Sequence, residues 1–374
     1  MEICKCFPYI NETAENVQSI REEETRALLE NLRAADCLIL VAEGRSKAAL
    51  HIGIGQVKKE VKLVEDLDFP GRNILEAAPV LKEQYKRIAL VINSSSGKTT
   101  TPRENAKEMV GFIKKSDRDN KQFTVDVVTS KPYSSIGRIG KRYGTMLKLS
   151  GPKSKAKVKT KTRDWVIKRG IMNDVYELGS LVLFQKIKEA LNEGRDHRWV
   201  IKEMESEMKT VGRIIDQFVD SAVYQGLAEK MSTRGHATVG GRGPARNVAE
   251  MTVIRLQHVK RAMGDQAYLS GELAPKPRHG DCLLLISWSG ENKPLLAWQK
   301  EYEASGAETF SIVGNQSSLS EATNGIVIES PANQFYLRAA FLLSPLPLLL
   351  VGNLEKAGFG LPPEIMGWYH SSTE

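Results

Sequence analysis

Two short stretches of this chain have the composition of a phosphate cradle. Ser94-Ser95-Ser96-Gly97-Lys98-Thr99 and Ser287-Trp288-Ser289-Gly290-Glu291-Asn292 each place hydroxyls and a glycine after a run of buried-type residues and before a helix-like stretch. Hydroxyls, backbone N–H groups and a glycine that lets the backbone approach, set at the carboxyl end of a strand, suit a phosphate-bearing ligand. Lys98 adds a cation to the first loop. A serine-rich turn that merely caps the next helix is the competing reading of either loop alone.

The surroundings of the two loops match as well. Upstream, Cys37–Ala42 leads to Gly44-Arg45-Ser46, and His236–Gly240 leads to Gly241-Arg242-Gly243. From Gly44 to Gly97 is 53 residues, and from Gly241 to Gly290 is 49. Downstream, Thr124–Thr129 leads to Ser134-Ser135-Ile136, and Thr309–Val313 leads to Ser317-Ser318-Leu319. A short strand follows each time, near 146–149 and 326–328. Four matched elements in one order imply an internal duplication.

The elements that position the loops follow from periodicity. In the first half, strands near 37–42, 87–93, 123–129 and 145–149 alternate with helices near 46–61, 74–84, 103–115 and 135–142. Alternation of this kind predicts a mainly parallel sheet covered on both faces. Single helices are expected over 11–34, 174–192 and 196–229, and another near 333–343. The Pro- and Gly-rich tail from Pro345 reads as an irregular extension. Two domains, 1–192 and 193–374, are expected; 374 residues suffice for two cores.

Composition narrows the class. The net charge of +8 has a local origin: Lys148–Arg169 holds nine cations and one acid, and the rest carries 44 basic and 44 acidic residues. Within it, Lys153–Lys161 alternates cations with small residues and lacks interleaved aromatics, so it reads as a solvated connector and argues against single-stranded nucleic acid. The longest apolar run, Phe341–Val351, is interrupted by prolines and too short to span a bilayer. The four cysteines open predicted strands or sit sparsely near the N-terminus, which fits a reducing cytoplasm and no metal site.

With these elements placed, the chain resembles the tandem sugar isomerase (SIS) domain family. That family shows a Gly-x-Ser turn after its first strand and Ser-x-Ser-Gly-x-Thr after the next core strand. The resemblance covers roughly 36–190 and 196–345. The second half is similar to 6-phospho-3-hexuloisomerases through Ser270-Gly271-Glu272-Leu273-Ala274-Pro275, Gly280-Asp281 and Ser287–Lys293. It departs at Gly243, where the turn serine is missing, and at Asn292, which replaces the loop threonine. The stretch between the two first-half motifs has no clear Gly-Glu equivalent.

The resemblance implies two three-layer αβα domains, each with a flavodoxin-like parallel sheet, and a sugar phosphate as ligand. It implies phosphosugar contacts at Gly44, Arg45, Ser46, Ser94, Ser96, Gly97, Lys98, Thr99, Ser134, Arg242, Ser287, Ser289 and Gly290. It also implies aldose–ketose interconversion through an enediol, without metal or cofactor, in which a carboxylate moves the proton and a histidine opens the ring. Glu272, by its motif, and Glu177, by its helix, are the candidate bases; His279 is the candidate histidine, with His258 beside it. A non-catalytic sugar-phosphate sensor is the alternative, and ammonia-dependent deamination a third. The surplus of apolar helix, as in 174–192, predicts a homodimer or higher homo-oligomer.

Overall fold

The near-continuous apolar runs form the central strands of two five-stranded parallel sheets. The computed structural model describes residues 2–116, 122–151 and 174–360. The chain divides into two units: one holds residues 13–151 and 175–208, the other 2–12, Asp174 and 209–360. The boundary expected at 192 instead falls further along, and the N-terminal segment belongs to the second unit. Its backbone shows why: the N–H groups of Lys5 and Cys6 donate to the Asp216 carboxylate at 3.0 and 3.2 Å, and Tyr9 bonds Ser344 at 2.7 Å. The basic connector lies, beyond Gly151, outside the described residues.

The first sheet has the order β2-β1-β3-β4-β5, built from Glu60–Leu63, Cys37–Ala42, Ile88–Asn93, Phe123–Thr129 and Met146–Lys148. The second has β7-β6-β8-β9-β10, from Ala267–Leu269, Ala237–Gly241, Cys282–Ser287, Glu308–Val313 and Asn324–Val327. The two orders are the same. In each, the chain leaves the middle of the sheet in both directions, so a switch point lies at the carboxyl ends of β1 and β3 and of β6 and β8. Ligands bind at such crevices in open α/β sheets.

Helices cover the strands. The first unit contains α1 (Pro8–Gln18), α2 (Glu22–Ala34), α3 (Gly44–Ile54), α4 (Ile74–Gln84), α5 (Thr100–Ser116), α6 (Ser135–Tyr143) and α7 (Asp174–Glu193), apart from the first residues of α1 and of α7. Then come α8 (His197–Phe218), α9 (Ala222–Met231), α10 (Pro244–Ala262), α11 (Lys293–Ala304), α12 (Ser318–Ala322), α13 (Ala332–Leu343) and α14 (Leu346–Lys356). Three helices expected as continuous or absent differ. The one expected over 11–34 breaks between α1 and α2, where Glu22, Glu23 and Glu24 favour a fresh N-terminus. The one expected over 196–229 breaks at Ser221, whose hydroxyl accepts from Tyr224 N at 3.3 Å. The tail from Pro345 is helical in α14, where Leu346, Leu350 and Leu354 are buried. The stretch Ala332–Lys356 is long and apolar enough to cross a membrane, yet 83% of its most apolar 18-residue window is buried inside the protein.

Strand register fixes how the copies correspond. Ala42 pairs with Asn93, four residues before Gly97, and Gly241 pairs with Ile286, four before Gly290. Gly241 therefore matches Ala42, and Gly243 matches Gly44. Their conformations agree: φ is +55° at Gly44 and +57° at Gly243. The alignment of Gly44 with Gly241 is thus corrected by two residues. Arg45 and Ser46 match Pro244 and Ala245, and Lys47 matches Arg246.

Candidate functional site

In the first copy, the end of β3 is tied down by an amide that the sequence motifs did not flag. Asn93 is fully buried; its Nδ2 donates to Ser46 O at 2.9 Å and Ser180 Oγ at 3.1 Å, and its Oδ1 accepts from Tyr176 Oη at 2.8 Å. Tyr176 Oη also approaches Val128 O at 2.7 Å. Burial without water makes such a network rigid when its members are satisfied. It fixes where the following loop begins.

That loop holds the expected hydroxyls. Ser94 is buried and meets Thr99 at 3.3 Å between hydroxyl oxygens, while Ser96 Oγ accepts from Lys98 N at 3.1 Å. Gly97 has φ +62°, and a Cβ there would overlap Ser134. Ser134 itself caps α6, accepting from Gly137 N at 3.2 Å. The second loop repeats the arrangement: Ser287 Oγ accepts from Gly290 N at 3.1 Å, Ser289 Oγ from Glu291 N at 3.3 Å, and Gly290, at φ +66°, abuts Ser317. Asn292, in place of the loop threonine, caps α11 by accepting from Leu295 N at 3.4 Å. Glu291 accepts from Ser318 N and Oγ at 2.7 and 2.8 Å, and these bonds hold its carboxyl below the usual carboxylate range.

Two expected residues in the first copy face each other. Arg45 Nη1 lies 2.9 Å from Glu177 Oε2, with side chains 3% and 6% exposed. Arg45, expected as an anion contact, and Glu177, expected as a base, are engaged in this ion pair instead. Close by, at the carboxyl end of β2, Lys47 bridges to Glu65. His51, one turn on along α3, is held down to about 4 by burial and by Lys47, so it is neutral near pH 7. Asp66 corresponds to Glu272 by register, since Leu63 pairs with Leu40 as Leu269 pairs with Val239. Both copies therefore place a carboxylate there, which corrects the reading that the first lacks one. Burial, then Glu65 and Asp68, raise the Asp66 carboxyl.

The second copy differs at one decisive position. Gly271 stands where the first copy has Glu65, so Arg246, the counterpart of Lys47, makes no ion pair among the described residues. Its Nη1 reaches Ser270 O at 3.3 Å. A cavity of about 520 Å³ opens here, lined by Gly241, Arg242, Gly243, Arg246, Ser270, Gly271, Glu272 and Trp298. Two of these, Arg242 and Glu272, were expected site residues; Arg246 and Trp298 were not. Arg246 was legible as a cation on the first turn after Gly243. Gly241 ends β6 directly beside β8, whose last residue is Ser287, so the cavity adjoins the second loop.

His279 belongs elsewhere. It precedes β8 and packs against Gly306, which precedes β9. That is the amino-terminal edge of the sheet, opposite the cavity, and it removes His279 from the candidate catalytic set. His258 lies near the end of α10, four turns from the Gly243 turn.

The fold is one shared with sugar-phosphate enzymes. Tagatose-6-phosphate ketose/aldose isomerase from Escherichia coli is 12% identical, covers 98% of this chain and 94% of its own, and has a TM-score of 0.58. The C-terminal domain of glucosamine-fructose-6-phosphate aminotransferase from Francisella tularensis is 15% identical over 94% and 96% of the two chains, with a TM-score of 0.56. Glucosamine-6-phosphate deaminase from Thermotoga maritima is 14% identical over 94% of both, with a TM-score of 0.51. No protein-family model and no curated protein sequence matches the chain. What the chain shares with these structures is the architecture, two parallel sheets of one topology flanked by helices.

Proposed function

We propose that the chain binds a phosphosugar in the second copy and interconverts its aldose and ketose forms through an enediol. The observation that carries this reading is the pair of arginines, Arg242 and Arg246, beside Glu272 in one cavity at the carboxyl ends of β6 and β7. Neither guanidinium has a carboxylate partner among the described residues, so both are available to a phosphate, which guanidinium groups bind bidentately. Glu272 then takes the proton from the carbon next to the carbonyl and returns it to the neighbouring carbon. The fold-sharing isomerases of tagatose 6-phosphate and deaminases of glucosamine 6-phosphate give the ligand class its support.

The test is turnover of a panel of ketose and aldose phosphates in D₂O. Deuterium should enter the substrate at the exchanged carbon. Glu272→Gln should cut kcat by roughly 10²–10⁴-fold, the usual worth of a general base, with substrate binding held within about threefold. Binding without turnover or deuterium uptake across the panel would refute the isomerase reading and leave a sensor. That second reading draws on the Arg45–Glu177 pair, which occupies the first copy's candidate base, and on α13, which carries Gln334 and Arg338 but no acid in its first turns.

A further inference from the structure

The second copy lacks a helix that the first one has. The link from β2 to β3 runs through residues 64–87 and contains α4, whose Ile74, Ala77, Ala78 and Leu81 enter the core with Ile39 and Met109. The link from β7 to β8 has only residues 270–281 and no helix. Where α4 would lie, a second cavity of about 140 Å³ adjoins the larger one through Ser270, Gly271 and Trp298.

The residues around this gap have changed in a consistent direction. By strand register and the Gly97–Gly290 match, Ile39, Val64 and Met109 correspond to Thr238, Ser270 and Tyr302. Three apolar side chains are matched by three hydroxyls. Tyr302 and Thr238 satisfy each other at 2.8 Å. Ser270 does not: it is 5% exposed, and its buried Oγ has no hydrogen-bond partner among the described residues. Trp298 takes the place of Asn105 and supplies an aromatic wall, with Leu283 and Pro275 completing an apolar lining.

We propose that this cavity is a subsite for an acylamino substituent on the phosphosugar, which deepens the reading above and rests on it. An acylamino group is half apolar and half polar, as the cavity is. Its methyl would sit against Trp298 and Leu283, and its carbonyl oxygen would accept from Ser270 Oγ. A cavity of about 150 Å³ takes benzene, so four heavy atoms fit comfortably. The sugar phosphate itself stays in the larger cavity, with Arg242 and Arg246.

Calorimetry on the full chain tests this with N-acetylglucosamine 6-phosphate, glucosamine 6-phosphate and glucose 6-phosphate. The N-acetylated sugar should bind at least about tenfold tighter than either other. Ser270→Ala should reduce that preference, read as the ratio of the N-acetylated sugar's affinity to that of glucose 6-phosphate in the same variant, by about 3–10-fold, the worth of one neutral hydrogen bond. Trp298→Ala should reduce it further. Arg246→Ala should weaken all three ligands alike. Equal affinity for the three sugars in the unmodified chain, or a preference that survives both Ser270→Ala and Trp298→Ala, overturns the subsite but leaves the phosphosugar reading standing. Absence of binding by every phosphosugar overturns both. Ser270→Ala keeps the fold, because the hydroxyl it removes has no partner to lose.

Discussion

Replacing Glu177 by Gln should destabilise the first unit by about 3–5 kcal/mol, the usual cost of removing one charge from a buried ion pair. The geometry favours the upper part of that range: the charged atoms lie 2.9 Å apart and the Arg45 side chain is only 3% exposed, so water cannot easily replace the lost carboxylate. Arg45→Met should cost a similar amount. The double variant Arg45→Met/Glu177→Leu removes both charges together and should recover most of the loss, so that the two single costs, which sum to at least about 6 kcal/mol, exceed the double-variant cost by at least about 4 kcal/mol. Urea unfolding followed by far-ultraviolet circular dichroism measures this. Two units need not unfold together, so the transitions are fitted separately and assigned by hydrogen exchange at β1 and β3. At slopes of roughly 1–3 kcal/mol/M, a loss of this size moves a midpoint by at least about 1 M. Single-variant costs that add within about 0.5 kcal/mol in the double variant would refute the argument. So would Glu177→Gln protein of unchanged stability that has lost turnover, since Glu177 would then be a base and not a strut.

Two more outcomes follow from other parts of the fold. Burial draws the Lys188 amine from 10.5 down to about 8, where its Nζ bonds Gln185 Oε1 at 2.9 Å. Between those pH values the unfolded chain holds more protons than the folded one, so stability rises with pH across that window; below it the amine is charged in both states and the full cost remains. At about 1.4 kcal/mol per unit the cost is about 3 kcal/mol, so Lys188→Met should stabilise the protein at pH 7 by roughly 1–3 kcal/mol and flatten the rise, as denaturation at pH 7 and 9.5 would reveal. Gly97→Ala and Gly290→Ala each force a side chain into a left-handed conformation and against a capping serine. Each should cost roughly 2–4 kcal/mol in thermal unfolding, and Ser134→Ala should partly rescue the first; equal melting temperatures for Gly97→Ala and the parent would count against it.

Much of the architecture was legible in the sequence because the central strands are buried on both faces. β1, β3 and β8 read as apolar runs, and the loops after β3 and β8 announced the duplication. The edge strands β2 and β7 were missed for the same physical reason that they are edges. Glu60-Val61-Lys62-Leu63 mixes charges with apolar residues, and Ala267-Tyr268-Leu269 is only three residues long. Losing β2 and β7 from the reading also hid the correspondence of Asp66 with Glu272, which only strand register gives. The match of Gly44 with Gly241 failed because Gly-Arg occurs at 241–242 while the conformation that needs glycine recurs at 243. The candidate site was half readable. Glu272 and Arg242 came from motif, whereas Arg246 matters because Gly271 took away its partner. The cavity itself comes from a helix that is not there, and the only trace in the sequence is the shorter link before β8. Glu177 stood out by its helix, but nothing local to it shows that Arg45 would claim it.

The contact between Gly97 and Ser134, repeated by Gly290 and Ser317, also says what has held the two halves alike while they diverged. Around each contact the chemistry has drifted: Lys98 is matched by Glu291, Thr99 by Asn292 and Ser46 by Ala245. The steric fit has not. A glycine pressed on the cap of the following helix leaves no room for a single methyl group, so any change there disturbs two crossovers at once, whereas a change of charge in the loop disturbs only what the loop binds. Ancestry in this fold is therefore written more durably in clearance than in function, and one half is free to change its ligand without ceasing to be recognisable as a copy of the other.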